Sequence, residues 1–169
     1  MDPVQKSVKS KDGTVIAYEQ SGRGPAVILV ASSLADRSDT KRLAALLAPQ
    51  FTVINYDRRG RGLSGDTPPY QVQREVEDIA ALLDEAGGSA CLFGSSSGAV
   101  LALEAAASDL DITKLALYEP PFRVDRSELP QKDLDRKVAQ LLAENQRGKA
   151  VSLFMRQGIG VPGAMIAFI

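Results

Sequence analysis

Three serines stand between two glycines at Gly94-Ser95-Ser96-Ser97-Gly98, and the central one is the residue best placed for chemistry. A serine hydroxyl attacks an acyl carbonyl when it is held clear of its backbone, beside donors for the charge that develops on the carbonyl oxygen. Ala90-Cys91-Leu92-Phe93 before it reads as a short buried strand, and Ala99-Val100-Leu101-Ala102-Leu103 after it as a helix of small and apolar residues. In a sharp strand-to-helix turn the central residue carries a strained backbone. Glycines two positions to either side let neighbouring chain approach without a Cβ in the way. Only Ser96 has glycine at both positions. The competing reading is a plain Gly/Ser turn; the flanking strand and helix favour a nucleophile elbow. The helix N-terminus adds partial positive charge and the amide of Ser97, which suit an oxyanion beside Ser96. A second donor is expected from the loop after the apolar run Ala26-Val27-Ile28-Leu29-Val30, which reads Ala31-Ser32-Ser33-Leu34. Ser33 is the favoured amide, and the alternative is a polar turn whose hydroxyls cap backbone groups.

The remaining polar residues carry less. Asp57-Arg58-Arg59-Gly60-Arg61-Gly62-Leu63-Ser64-Gly65 follows directly on a strand. Its arginines suit an anionic substrate, but a tight loop fixed by an Asp and by Arg hydrogen bonds explains the same residues and is favoured. It matches neither GxxxxGK(S/T) nor a GxGxxG opening a helix, so nucleotide binding has no support and no cofactor is expected. Cys91, within an apolar strand, reads as a small core residue rather than a nucleophile. Glu119 ends a strand where a carboxylate can face the site, although a solvated or cap-bound glutamate is the commoner outcome. One Cys and no His in 169 residues give no internal disulfide and no zinc site of the usual kind, so no metal is expected. The missing histidine also removes the commonest general base.

The elements that must position these residues alternate along the chain. Lys11-Asp12-Gly13 is a hairpin-type turn, pairing residues near Lys6 to Lys9 with Thr14 to Tyr18 antiparallel at a sheet edge. Ala26 to Val30 reads as a strand buried on both faces. Leu43, Leu46 and Leu47 mark one face of a helix with Ser38 or Asp39 as N-cap and Pro49 as a stop. Phe51 to Tyr56 is the next strand, and Val72, Val76, Ile79, Leu83 and Ala86 follow the spacing of an amphipathic helix ending at Gly87-Gly88. Leu115 to Tyr118 is a further strand. The expected fold is α/β: an open, mostly parallel, doubly wound sheet with helices on both faces and ligands at the strand C-terminal ends. Beyond Pro121 come only helical patterns, Leu134, Val138, Leu141 and Leu142 and then Val151 to Met155, and the apolar Ala164-Met165-Ile166-Ala167-Phe168-Ile169 stops without a cap, as if cut.

Composition agrees with a soluble globular domain: 44% hydrophobic, 24% charged, net charge −1. No like-charge run offers a footprint for nucleic acid or an anionic membrane, so neither is an expected partner. The N-terminus lacks a signal-peptide core, which points to the cytoplasm.

With these residues in hand, the chain resembles the α/β-hydrolase superfamily of serine esterases, lipases and related acyl hydrolases. The resemblance rests on the apolar strand with its Ala31 to Leu34 loop, on Tyr56-Asp57-Arg58-Arg59-Gly60-Arg61-Gly62-Leu63-Ser64, and on Gly94-Ser95-Ser96-Ser97-Gly98. It implies Ser96 as nucleophile, the amides of Ser33 and Ser97 as oxyanion hole, and a small-molecule ester or acyl substrate. It also implies a core over residues 1–121, and over 122–169 the incomplete start of a helical cap. Two departures are minor: Ala31-Ser32 stands where many members carry His-Gly, and Ser95 where His is common. One is serious. The family places its acid and then its His after the nucleophile, in strands beyond the cap. The expectation is therefore an enzyme by resemblance whose 169 residues show little activity alone, with a non-catalytic binding or regulatory relative as the alternative. An open sheet edge would permit self-association.

Overall fold

The structure is a computed structural model that describes residues 2–122 and 133–162. The chain divides into two compact units, Met1–Pro121 and Phe122–Ile169. The first is an α/β unit whose elements run β1 (Val4–Lys9), β2 (Val15–Gly22), β3 (Ala26–Val30), α1 (Lys41–Leu47), β4 (Thr52–Tyr56), α2 (Val72–Glu85), β5 (Ala90–Ser95), α3 (Ser97–Ala106) and β6 (Ile112–Tyr118). They form one six-stranded sheet in the order β1-β2-β4-β3-β5-β6. The β1–β2 hairpin pairs antiparallel, Lys9 opposite Val15, and β2 pairs antiparallel with β4; β4, β3, β5 and β6 are mutually parallel.

The period of two along the central strands sorts their side chains onto two faces. Ile28 and Val30 of β3, Ile54 and Tyr56 of β4 and Leu92 of β5 join Val76, Ile79, Leu82 and Leu83 of α2 and Leu101, Ala102 and Ala105 of α3 in the larger core. Val27 and Leu29 of β3 and Val53 of β4 face the other way, onto Ala44 of α1. A strand buried on both faces reads as an unbroken apolar run, and Val27, Ile28, Leu29 and Val30 are all buried.

The topology fixes where a ligand can enter. From β3 the chain crosses over one face by α1 to β4; from β5 it crosses over the opposite face by α3 to β6. The carboxyl ends of β3 and β5, adjacent in the sheet, therefore flank a topological switch point, where the departing connections leave a crevice.

Helix α1 keeps its expected face in part, with Leu43 and Leu47 packed on the core. Leu46 is 70% exposed, Leu43 and Leu47 are half-buried, and the buried residue is Ala44. The helix begins one residue after Thr40, with no side-chain cap from Ser38 or Asp39. Thr40 is buried and donates its hydroxyl to Asn55 Oδ1 at 2.7 Å.

The second unit holds α4 (Leu134–Ala143) and α5 (Arg147–Leu153), which continues into a π-helical turn, Phe154–Ile159. Among its described residues Leu134 and Ala150 are buried. The apolar stretch Ala164 to Ile169 lies outside the described residues. No described helix is long and apolar enough to cross a membrane.

Candidate functional site

At the carboxyl end of β5 the backbone turns straight into α3, with Ser96 between them at φ 53 and ψ −119. Among the described residues Ser96 is one of four non-glycine residues with positive φ, a conformation that costs of order 1–3 kcal/mol and persists only where the surroundings enforce it. They do so here through two glycines. A Cβ on Gly94 would lie 2.4 Å from the Gly98 carbonyl oxygen and 2.6 Å from Ala99 Cα. One on Gly98 would lie 2.3 Å from the Val30 oxygen and 2.5 Å from the Ala31 oxygen. The first contact is the turn closing on itself; the second is the start of α3 pressed against the end of β3. The Ser96 amide is anchored to the Tyr118 carbonyl at 2.9 Å, and its carbonyl accepts from Ala99 at 2.9 Å.

The serine's backbone is thus fixed on both sides. Its side chain is half-buried, and among the described residues its hydroxyl has no hydrogen-bond partner. The amides of Ser33 and Ser97 likewise find no acceptor among the described residues, as expected for an amide in the first turn of a helix in the case of Ser97. Ser33 lies in the loop after β3, and its carbonyl accepts from Arg61 Nε at 3.0 Å.

The arginine loop after β4 is a structural network. Arg58 forks onto Glu75 of α2 through Nε at 2.6 Å and Nη2 at 2.7 Å, while Nη1 donates to the Ala31 carbonyl and to Ser97 Oγ, both at 3.2 Å. Arg59 forks onto Asp78 at 2.9 and 2.7 Å and reaches Asp12 at 2.9 Å. Asp57 accepts from the amides of Arg37 at 2.9 Å and Leu63 at 2.8 Å and pairs with the Arg37 guanidinium. Arg58, Arg59, Glu75 and Asp78 are all buried, so each charge requires its partner. Burial pushes the Glu75 carboxyl up, but its hydrogen bonds and attraction to Arg58 outweigh this and leave it below its ordinary value. The Arg59 guanidinium holds the Asp12 carboxyl well below the usual carboxylate range.

The remaining sequence candidates fall outside the elbow's own contacts. Glu119 follows β6 at φ 46; it is exposed and is one residue from the Tyr118 carbonyl that anchors Ser96. Cys91 is half-buried on the α1 side, its sulfur 3.4 Å from the Thr113 hydroxyl. A cavity of about 530 Å³ lies between α1 and β2, bordered by Glu19, Arg23, Lys41 and Ala48; a smaller one of about 350 Å³ is bordered by Asp36, Arg37 and Leu63. Ser96 lines neither. Sequence reasoning passed over Glu75 and Asp78, naming only the apolar positions of α2. The available signal was their spacing of three beside Val76 and Ile79, together with two adjacent arginines that need buried counter-charges.

A mostly parallel sheet with a strained Ser96 at its switch point defines an α/β protein of the hydrolase architecture. The alpha/beta hydrolase family matches residues 27–165, and the chain belongs to that family. An alpha/beta hydrolase from Sphaerobacter thermophilus is 55% identical, with a TM-score of 0.93 over 96% of this chain and 64% of its own. The uncharacterized hydrolase YraK of Bacillus subtilis is 29% identical over 85% of this chain and 55% of its own length. The zearalenone hydrolase of Cladophialophora bantiana is 34% identical over 59% of this chain and 41% of its own length. The chain thus spans about half the length of these two curated relatives.

Proposed function

We propose that the chain is the nucleophile-bearing portion of a serine hydrolase acting on an ester or related acyl bond of a small molecule. Ser96 Oγ attacks the carbonyl carbon, and the amides of Ser97 and Ser33 receive the oxyanion. The observation that carries this reading is the enforced positive φ of Ser96 between two glycines that no other residue can replace without moving backbone. The amides of Ser33 and Ser97, without an acceptor among the described residues, support it, as do relatives named as hydrolases. The 169 residues contain no histidine, so the proton of Ser96 has no imidazole to receive it, and a lone serine is a poor nucleophile near neutral pH. The chain alone is expected to cleave a short-chain aryl ester little or not at all. Added imidazole, standing in for the missing base, is expected to raise cleavage above the Ser96→Ala background; equal rates in the two proteins would refute the assignment.

The absent histidine also favours a second reading, in which the fold serves as a non-catalytic binding or regulatory relative. Reaction of Ser96 with a fluorophosphonate at rates normal for serine hydrolases would dismiss it. On either reading β6, an edge strand among the described residues, is a surface through which the chain self-associates.

A further inference from the structure

We propose that Arg58 and Arg61 are positioning residues that hold the two arms of the oxyanion site in register, an inference that rests on Ser96 being the nucleophile. The two amides belong to separate elements: Ser33 to the loop after β3, Ser97 to the first turn of α3. No backbone hydrogen bond among the described residues joins that loop to that turn; Arg58 does. Its Nη1 donates at 3.2 Å both to the Ala31 carbonyl, on one arm, and to Ser97 Oγ, on the other. Arg61 adds a second tie to the first arm, with Nε donating to the Ser33 carbonyl at 3.0 Å. That bond fixes the loop one peptide beyond the Ser33 amide.

The guanidinium is itself immobilised. Glu75 takes the Nε and Nη2 edge at 2.6 and 2.7 Å, so Nη1 keeps both its N–H groups for Ala31 and Ser97, and its direction is set by a rigid planar fork. Tyr70 donates to the same carboxylate at 2.9 Å. Lysine keeps the charge but presents a single ammonium on a flexible stem, which cannot satisfy Glu75 twice and still span both arms. Ser97 Oγ accepts from Arg58, so the side chain beside the nucleophile is fixed through the same group that fixes the opposite loop.

Donors of this kind act through placement: misplacing one by about 1 Å costs on the order of 10²-fold in rate. The test compares a phosphonate (P=O) with the matching phosphonothioate (P=S), both bearing the same leaving group, at alkaline pH where hydroxide serves as base. The rate of Ser96 modification is read by intact mass in the wild-type chain and in Arg58→Lys, Arg61→Gln, Ser97→Ala and Ser96→Ala, with Tm recorded for each. Sulfur is a weak hydrogen-bond acceptor, so the P=O/P=S rate ratio reports the oxyanion donors. A loss of stability alone slows both reagents together.

Arg58→Lys is expected to lower that ratio about 10-fold or more, and Arg61→Gln and Ser97→Ala to lower it less. A ratio unchanged in all three variants overturns the positioning role and leaves the nucleophile intact. Equal labelling of wild type and Ser96→Ala overturns the nucleophile, and this inference with it. Should Arg58→Lys fail to fold, the half-buried positions Arg61 and Ser97 decide the matter by the same ratio.

Discussion

Ser96 is defined less by its hydroxyl than by what its neighbours lack. The first atoms a Cβ at Gly98 would meet are the Val30 and Ala31 carbonyl oxygens, at 2.3 and 2.5 Å, so Gly98→Ala forces α3 away from β3. Backbone does not give as a flexible side chain does. The expected cost is about 3 kcal/mol or more, read as a lowered midpoint in urea unfolding, and any Ser96 labelling falls with it. Gly13→Ala has open space around its Cβ and only its positive φ to strain it, so the same measurement should show the smaller loss. This part of the site was legible in the sequence, because a GxSxG between an apolar run and a small-residue helix leaves the chain few ways to turn. Ser33 was legible only as a place in a loop. An amide's freedom depends on what the rest of the fold offers it as an acceptor, and spacing carries no such information.

At the scale of elements, the strands were readable and the charges were not. The unbroken apolar run Val27 to Val30 marks a doubly covered strand from the order of its residues alone. On α1 the apolar spacing places Leu43 and Leu47 against the core, as found, and misses that Leu46 is exposed while Ala44 is buried, since how far each side chain of a short helix is covered depends on residues distant in sequence. Glu75 and Asp78 were hidden for a related reason. A buried acid looks like a surface acid until its arginine is placed, and Arg58 and Arg59 are 17 and 19 residues away from their partners. Glu75→Gln leaves the Arg58 guanidinium buried without its counter-charge, and breaking a buried pair in this way costs about 3–5 kcal/mol. The expected outcome is a large fall in Tm. Asp84→Asn, in the same helix but exposed, should leave Tm nearly unchanged.

For the whole molecule, the same ion pairs set the response to pH. Glu75 and Asp12 titrate below their ordinary values in the folded chain. The stability they contribute is therefore fully present above the unfolded carboxylate pKa of about 4 and is lost as pH falls through their lowered folded values. On the alkaline side, burial and the Glu85 carboxylate push Tyr18 up to about 12, and burial raises Tyr56 as well. Stability from neutral tyrosine is present below about pH 10 and is lost as pH rises through the folded values. Thermal unfolding should show a plateau between these two ranges, and a Tm still rising as pH drops below 4 would contradict the assignment. Among the described residues no strand pairs with the outer side of β6, which exposes Leu117 and Tyr118; on the proposal that this edge associates, light scattering should show mass increasing with concentration, and a monomer at all concentrations would remove the edge as an association surface.

The central claim is that Ser96 is a nucleophile held ready by the fold. The most direct test is to treat the chain with excess fluorophosphonate and locate the adduct by peptide mass spectrometry. One adduct per chain on the peptide containing Ser96, formed slowly for want of a base and absent from Ser96→Ala, is the expected result. An adduct elsewhere, or equal labelling of Ser96→Ala, would contradict it.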